Sequence, residues 1–315
     1  LTIDQNQVLT SDAALRLETL PASVIVLGGG VIGVEFASAW RSLGVEVTVV
    51  EALPRLVANE EPEISRALER AFRKRKITVL VDSPMESVDR SESGVTVNLA
   101  GGKSVSAELL LVAVGRGPVT DGQGYAEAGI ELDRGFVTVD ERLQTTVDGV
   151  YALGDVVPGL QLAHRGFAHG IFVAEEVAHR LGRSDPKPTP VLDVSIPKVT
   201  YCEPNVASVG LTEAQAREQF GEVETETLDL AANGKSQILK TQGFIKLVRE
   251  QDGPVVGISM IGARVGELIA EAQLITNWEA FPSDVAGLIH PHPTQSEALG
   301  EAHLALAGKP LHVHG

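Results

Sequence analysis

The sequence predicts an α/β protein in which a doubly wound, largely parallel sheet is followed by a section of α+β type. Two continuous apolar, β-branched runs, residues 22–27 and 45–50, are typical of strands buried on both faces of a parallel sheet. A helical stretch that follows residues 28–33 connects them and ends at Gly44. Its apolar residues are Val34, Ala37, Ala39, Trp40 and Leu43. This strand–helix–strand spacing predicts right-handed crossovers. From residue 191 onward strand-like and helix-like segments are mixed, which predicts the α+β section.

The remaining elements follow from the same patterns in chain order. Residues 64–76 mix apolar with many charged residues, which predicts an amphipathic helix. Residues 88–99 and 104–114 predict two strands on either side of an Ala100-Gly101-Gly102 turn. The proline-rich stretch 183–190 is the best linker candidate. We also expect a helix over residues 166–181, strands over 136–139, 149–155, 198–201, 243–249 and 255–261, and helices over 213–219, 266–277 and 282–288.

Length, charge and cysteine content exclude several classes of protein. The 315 residues suffice for two or three domains, and 42 acidic against 26 basic residues give a formal charge of −16, which disfavours nucleic acid and anionic membranes as partners. Cys202 is the single cysteine, so an intramolecular disulfide is excluded and a reducing cytoplasm is expected. We expect its thiol to be inert and partly buried. No signal peptide is readable at residues 1–7, and no apolar run approaches the roughly 20 residues that span a bilayer.

A glycine-rich turn follows the first predicted strand. Gly28-x-Gly30-x-x-Gly33 matches the dinucleotide-binding fingerprint, in which the first glycine permits a tight turn and the second lets a pyrophosphate approach the backbone. The third lets the helix pack close to the strand, and the helix N-terminus offers N–H donors to the diphosphate. Three glycines in six residues also fit a structural turn, but the strand before and the helix after favour a Rossmann-like NAD domain.

Glu51 ends the second strand, 18 residues after Gly33. A carboxylate at this place can accept hydrogen bonds from both ribose hydroxyls of a dinucleotide and repels a 2′-phosphate, which favours NAD over NADP. The alternative is a solvated residue at a strand end.

Gly154-Asp155 ends the predicted strand 149–155. It places a carboxylate at the C-terminal edge of a sheet, where ligands of open α/β sheets bind. A simple turn explains the same pair of residues equally well.

A histidine-rich run, residues 290–297, precedes a predicted helix. His292 and Glu297 are close enough for the carboxylate to orient the imidazole, which is the recurring arrangement of a general acid/base. Alternatively, Thr294 and Glu297 form a capping box. The histidines at 290, 292, 312 and 314 also raise the possibility of a metal site, but no cysteine or acidic ligand set completes one, so no metal is predicted.

Taken together and in order, these segments resemble the pyridine nucleotide–disulfide oxidoreductases. The residues that carry the resemblance are 28–35 (GGGVIGVE), 112–116 (VAVGR), 151–155 (YALGD) and 292–297 (HPTQSE). Residues 199–213 (VTYCEPNVASVGLTE) are most similar to the branch that oxidises dihydrolipoamide as the flavoprotein of 2-oxo acid dehydrogenase complexes. The resemblance covers essentially all of the chain.

For NAD, the resemblance implies that Glu51 binds the adenosine ribose, that Glu35 lies near the nicotinamide and that Gly115 lines the cleft. The diphosphate would be held by Gly28, Gly30 and Gly33.

For FAD, the resemblance implies that Asp155, after Gly154, binds the ribityl chain, and that the backbone of Leu162, Ala163 and His164 lies near the flavin ring. His292, oriented by Glu297, would be the acid/base for the dihydrolipoamide thiols. In this family the pair is delivered from the partner subunit of a homodimer.

The resemblance also implies a domain order: the end of a first FAD section (1–20), an NAD-binding domain (21–118), a second FAD section (119–190) and an α+β dimerisation (interface) domain (191–315). The family's first FAD-binding unit and its Cys-x4-Cys pair have no counterpart in the 315 residues. We therefore expect a truncated form that is incomplete for catalysis, with only a partial FAD domain. The alternatives are a non-catalytic, self-associating NAD-binding module and another NAD-linked flavin disulfide reductase.

Overall fold

The computed structural model describes residues 1–312. These residues divide into two compact units, one formed by residues 1–115 together with the chain from residue 197 onward, the other by Arg116–Ile196. The domain limits expected from the sequence stay a prediction.

The first part of the chain builds a parallel sheet and a smaller antiparallel one. The parallel sheet has the strand order β1-β8-β2-β3-β4, and the antiparallel sheet has the order β5-β6-β7. The elements are β1 (Val8–Leu9), α1 (Ser11–Ala14), β2 (Ser23–Leu27), α2 (Val31–Ser42), β3 (Glu46–Val50), α3 (Pro62–Lys74), β4 (Thr78–Leu80), β5 (Met85–Ser91), β6 (Gly94–Leu99), β7 (Lys103–Ala107) and β8 (Leu109–Val112).

Strand β2 is buried on both faces, as its apolar run predicts. Val24 and Val26 pack into one core cluster together with Phe72 of α3, whereas Ile25 and Leu27 pack into another on the opposite face. The parallel α/β arrangement expected from the sequence is therefore confirmed.

Two predicted strands are wrong in their limits. The stretch 88–99 is a hairpin of β5 and β6, because Ser91-Glu92-Ser93-Gly94 is a polar turn whose glycine has φ +139°. The stretch 104–114 divides at Glu108 into β7 of the antiparallel sheet and β8 of the parallel sheet. The Glu108 carboxylate accepts the Ala22 N–H at 2.7 Å, and the pattern changes from alternating polar residues to a continuous apolar run.

The unit of residues 116–196 has little regular structure besides one long helix. Strands β9 (Leu132–Asp133) and β10 (Phe136–Val137) pair, and α4 (Ala163–Arg180) follows. The predicted strand 149–155 is wrong: Tyr151 forms an isolated bridge with Gln144, and residues 154–156 form a 3₁₀ turn. Gly154 has φ +71°, which ends an extended run. The predicted strand 136–139 is shorter than expected, ending at residue 137.

The last part of the chain is an antiparallel sheet covered by helices, which confirms the α+β prediction. Its strand order is β11-β12-β15-β14-β13. The elements are β11 (Lys198–Thr200), β12 (Asn205–Gly210), α5 (Glu213–Phe220), β13 (Val223–Asp229), α6 (Gly234–Ile238), β14 (Phe244–Glu250), β15 (Val255–Gly262), α7 (Val265–Asn277), α8 (Pro282–Ala286) and α9 (Glu297–Leu306). Strand β13 escapes prediction because it is rich in charged residues and buries only Val223 and Leu228 deeply.

None of the helices within residues 1–312 combines the length and the apolar character needed to cross a membrane.

Candidate active site

The three fingerprint glycines occupy three different environments. Gly28 has φ +111°, and a Cβ atom there would collide with the carbonyl oxygen of Ala113. A Cβ at Gly33 would collide with the carbonyl oxygen of Gly28, so helix α2 packs tightly on the end of β2. Gly30 precedes the first residue of α2, and a Cβ there would meet nothing within 4 Å. An open position at a helix N-terminus is where an anionic group can approach the backbone.

Glu51 lies directly beside this turn. Its Oε2 accepts the Gly29 N–H at 2.5 Å, and its Oε1 accepts the Leu53 N–H at 2.7 Å. The carboxylate is half-buried and fixed in place, unlike the freely solvated strand-end residue of the alternative interpretation. Each oxygen keeps a further lone pair for another donor, such as a hydroxyl.

Glu35 and Gly115 lie on or just after elements that adjoin the turn. Glu35 belongs to α2, and its Oε1 accepts the Tyr201 N–H at 2.7 Å. Burial raises the pKa of Glu35, against the opposing effect of that hydrogen bond. Gly115 follows β8 with φ +126° and open space around it. Because β8 neighbours β2, Gly115 lies at the same carboxyl edge of the sheet as Gly28.

In the unit of residues 116–196, the backbone of Gly154 is held by helix α4. The Gly154 N–H donates to His169 Nδ1 at 3.4 Å, and Arg165 Nη1 donates to the Gly154 carbonyl at 3.3 Å. Arg165 is buried and also pairs with Asp193 at 2.7 Å. Sequence reasoning missed Arg165 and His169, although their spacing of four residues on one helix face was a usable signal.

Asp155 itself is exposed, and its carboxylate accepts no hydrogen bond from residues 1–312. Leu162 is the N-cap of α4 without a side-chain capping bond, and Ala163 and His164 open the helix. The helix N-terminus and the free carboxylate are both parts of the same unit.

His292 and Glu297 are hydrogen-bonded. The ring Nδ1 of His292 lies 2.9 Å from Glu297 Oε1, while Oε2 of Glu297 accepts the Thr294 N–H at 2.7 Å. The Thr294 hydroxyl bonds to the Pro291 carbonyl rather than to the helix, so the capping box is only half formed. The His292 side chain is 80% exposed. A carboxylate held by a backbone N–H thus orients an imidazole that is open to a substrate.

The electrostatics of Glu297 favour its charged form. Burial opposes ionisation, but the Thr294 N–H and the His292 ring outweigh that effect and lower the pKa of Glu297. A charged carboxylate accepts the Nδ1 proton of His292, which fixes the tautomer with the lone pair on Nε2.

Cys202 is buried, and its Sγ donates to the Pro204 carbonyl at 3.1 Å. Burial, reinforced by the nearby Glu35 carboxylate, raises its pKa to about 12, so the thiol is protonated at neutral pH. The expectation of an inert thiol agrees with this environment.

Within residues 1–312, no group of three histidine, cysteine or acidic side chains is arranged to hold a metal ion. His314, which the sequence offers as a further ligand, lies outside the described residues.

Two protein-family models match most of the chain. The family model described as pyridine nucleotide-disulphide oxidoreductase matches residues 1–170, and that of the family's dimerisation domain matches residues 196–303. The chain is 38% identical to dihydrolipoyl dehydrogenase of Bacillus subtilis, covering 99% of this chain and 66% of that protein. It is 41% identical to dihydrolipoyl dehydrogenase of Chlorobaculum parvum, covering 96% of this chain and 64% of that protein. The chain therefore spans slightly under two thirds of the length of these relatives.

Solved structures show the same similarity. The crystal structure of LpdA from Mycobacterium tuberculosis superposes with a TM-score of 0.87 at 28% identity, covering 96% of this chain and 65% of that one. The flavoprotein disulfide reductase RclA from Escherichia coli gives a TM-score of 0.84 at 28% identity, covering 94% of this chain and 68% of that one. The Rossmann-like sheet and the antiparallel dimerisation domain are thus shared, and the chain belongs to the pyridine nucleotide-disulphide oxidoreductase family, whose members bind FAD and NAD(P).

Proposed function

We propose that this chain supplies the NAD-binding part and the acid/base pair of a dihydrolipoyl dehydrogenase, an enzyme that reoxidises dihydrolipoamide with NAD⁺ through FAD and a redox-active disulfide. The observation that carries the proposal is the His292–Glu297 hydrogen bond of 2.9 Å, because it presents an exposed, oriented imidazole. The similarity to dihydrolipoyl dehydrogenases over nearly the whole chain supports this substrate class.

The reaction requires a group that moves protons. Dihydrolipoamide loses two electrons and two protons to become a cyclic disulfide, NAD⁺ takes up both electrons and one proton, and the second proton is released to solvent. Nε2 of His292 accepts a thiol proton, so that the more nucleophilic thiolate forms. Glu297 stabilises the resulting imidazolium. Bound FAD supplies the electron transfer between the sulfur centres and the nicotinamide.

The NAD site is proposed at the carboxyl edge of the parallel sheet. Open space at Gly30 leaves room for a diphosphate against the start of α2. Glu51 accepts the ribose hydroxyls and disfavours the 2′-phosphate of NADP. Glu35 would lie near the nicotinamide, and Gly115 would line the cleft.

The residues proposed to hold FAD fit such a ligand on two observations. The exposed Asp155 carboxylate has an unused hydrogen-bonding capacity for hydroxyls of a ribityl chain. The α4 N-terminus at Leu162, Ala163 and His164 has no side-chain cap and offers backbone N–H donors.

The partners follow from the same proposal. The match of residues 196–303 to the dimerisation domain supports a homodimer. In this homodimer, His292 and Glu297 of one subunit would act as the acid/base pair for the substrate thiols at the flavin site of the other subunit. The substrate would be dihydrolipoamide on the lipoyl domain of an acyltransferase in a cytoplasmic 2-oxo acid dehydrogenase complex.

The 315 residues contain one cysteine, so we propose that this polypeptide alone binds NADH but does not turn over lipoamide. The purified polypeptide is mixed with NADH and lipoamide, and absorbance of NADH is followed. Turnover at more than trace rates contradicts this part of the proposal. Intact mass and the visible spectrum identify the species tested, because a colourless protein of 33.3 kDa carries no flavin.

A non-catalytic, self-associating NAD-binding module is the second candidate, favoured by the single buried cysteine. A larger, yellow, FAD-loaded protein that contains these residues and reduces lipoamide excludes it. Such a protein that reduces another disulfide, but not lipoamide, indicates a different flavin disulfide reductase.

A further inference from the structure

His292 lies in a loop with few attachments. Residues 287–296 connect α8 to α9 without helix or strand. Between residues 287 and 293, His290 has the only side chain that is not exposed. On this side, the His292 backbone is held through His290 and through the Pro291 carbonyl, which accepts the Thr294 hydroxyl at 2.7 Å.

His290 is held by two helices. Its Nε2 lies 2.6 Å from Glu271 Oε1 on α7, and its side chain is 12% exposed. Because the carboxylate only accepts, Nε2 donates this bond. The ring packs against Gly300 of α9, where an added Cβ would lie 2.6 Å from His290 Nδ1.

Glu271 is the acidic side chain that pairs with the His290 ring. His303 lies nearby, and burial, assisted by the charge of His290, lowers the pKa of His303 to about 4. His303 is therefore neutral at physiological pH, and Glu271 is the charged partner that determines where the His290 ring rests.

The other side of the loop is anchored independently. The Asn233 side chain donates to the Thr294 carbonyl at 3.0 Å, and the buried Gln295 side chain donates to the Ala263 carbonyl at 2.9 Å. His292 and the following Pro293 are thus bracketed by two anchors. The first anchor is the side chain of His290 alone, and it precedes His292 in the chain.

We infer that His290, bound to Glu271 and seated on Gly300, is a positioning residue that holds His292 in hydrogen-bonding register with Glu297. The inference rests on the proposed function, because it concerns the acid/base pair of that reaction. Removing the anchor leaves the Thr294 hydroxyl as the remaining side-chain contact before His292, at the Pro291 carbonyl, and we expect the exposed His292 ring then to exchange its bond to Glu297 for water.

The test reads the tautomer of His292 directly. The 315-residue polypeptide is labelled with ¹³C,¹⁵N-histidine, and long-range ¹H–¹⁵N correlation spectra are recorded at a pH where imidazoles are neutral. The His292 ring is expected to be in the Nδ1–H form. A charge-assisted bond to Glu297 gives that form an excess of at least about tenfold. His290→Ala is expected to remove the excess, giving a mixture of both tautomers.

Variants that leave His290 in place keep the test decisive if His290→Ala fails to fold. Gly300→Ala places a methyl group against the His290 ring and is expected to give the same mixture, whereas Gly170→Ala in α4, with nothing within 4 Å of its Cβ, leaves the His292 spectrum unchanged. Glu271→Ala is expected to give the mixture, and Glu271→Gln, which keeps an acceptor oxygen, to restore the Nδ1–H form. An unchanged His292 tautomer in Gly300→Ala and Glu271→Ala overturns the inference.

A kinetic comparison separates this inference from the proposed function. In the FAD-loaded enzyme, His290→Ala is expected to lower kcat for lipoamide by about tenfold, in line with a misplaced acid/base, while KM and flavin-dependent diaphorase activity stay constant. A kcat like that of the unmodified enzyme overturns the inference. If His292→Gln leaves lipoamide turnover intact, the proposed function fails even though the tautomer result stands.

Discussion

The glycine turn at residues 28–33 and the histidine loop at residues 287–296 are both signalled by short motifs, yet they are built by different means. In the glycine turn, the shape is enforced by backbone atoms: Gly28 and Gly33 are each in contact with carbonyl groups that exclude a side chain. In the histidine loop, the shape depends on side-chain hydrogen bonds to α7 and α9 from a largely exposed segment. The turn proposed to bind the cofactor is thus rigid by sterics, whereas the loop proposed to move a proton is held by replaceable side chains.

This difference predicts that substitutions in the histidine loop affect chemistry, whereas those in the glycine turn affect folding or cofactor binding. Four measurements test the contrast, beginning with the largest expected effect.

In the FAD-loaded enzyme, His292→Gln is expected to lower the rate of dihydrolipoamide oxidation by about 10²–10⁴-fold, the range for loss of a general acid/base. Diaphorase activity, which needs no thiol proton transfer, is expected to stay within a factor of about three of the unmodified enzyme. Steady-state rates with lipoamide and with an artificial electron acceptor give the comparison. Parallel losses of both activities indicate a structural role for His292.

Gly33→Ala is expected to destabilise the fold by about 1–3 kcal/mol, because its Cβ collides with the Gly28 carbonyl of the preceding turn. Gly30→Ala is the matched control: its Cβ meets nothing, so stability is expected to be retained while NADH binding weakens. Urea unfolding and NADH titration of both variants separate the two effects. Equal stability losses in both variants contradict the assignment of different roles to the two glycines.

Glu51→Arg is expected to change the preference between NADH and NADPH by at least about tenfold, because the carboxylate that repels a 2′-phosphate is replaced by a cation that pairs with it. The affinities of the polypeptide for both nucleotides, measured by fluorescence titration at one ionic strength, give the ratio. Glu51→Gln removes the charge of this side chain but keeps its size, so it shows whether charge or size determines the preference between the two nucleotides. Equal binding of NADH and NADPH by the unmodified polypeptide counts against the ribose role.

The smallest expected effect is the pH dependence contributed by Glu297. The pKa of Glu297 is lowered in the folded state, because the Thr294 and His292 hydrogen bonds outweigh burial. The charged Glu297 therefore stabilises the folded state fully above pH 4.5, its ordinary pKa. That stabilisation is lost as the pH falls through the lowered folded value. The free-energy difference between the unmodified polypeptide and Glu297→Gln is expected to shrink by less than about 1 kcal/mol between pH 7 and pH 3. A difference that grows on acidification has the wrong sign for this account.

The parallel part of the fold was predictable because its signals are local. Two buried apolar runs, the helix between them and the glycines at the turn each act within a few residues. The polar turn before Gly94 is a local signal that the predicted strand 88–99 overlooked. The other failures lie where a distant partner decides the conformation: the change of sheet at Glu108, and the 3₁₀ turn at Gly154, which α4 holds through Arg165 and His169.

The same limit applies to the candidate site. The proximity of His292 and Glu297 was foreseeable because they are only five positions apart, and the structure shows their hydrogen bond. The Glu271–His290 pair joins residues 19 positions apart and was not foreseeable from spacing. Tyr201 and Glu35 are hydrogen-bonded although they lie 166 positions apart, so this contact could be seen only in the folded chain.

We propose that the 315 residues contain an NAD site built on the glycine turn and Glu51. Calorimetric titration of the purified polypeptide with NADH and with NADPH tests it most directly. We predict one NADH per chain, bound more tightly than NADPH, and weakened binding in Gly30→Ala without loss of folding. Absence of NADH binding by the folded polypeptide would contradict the account.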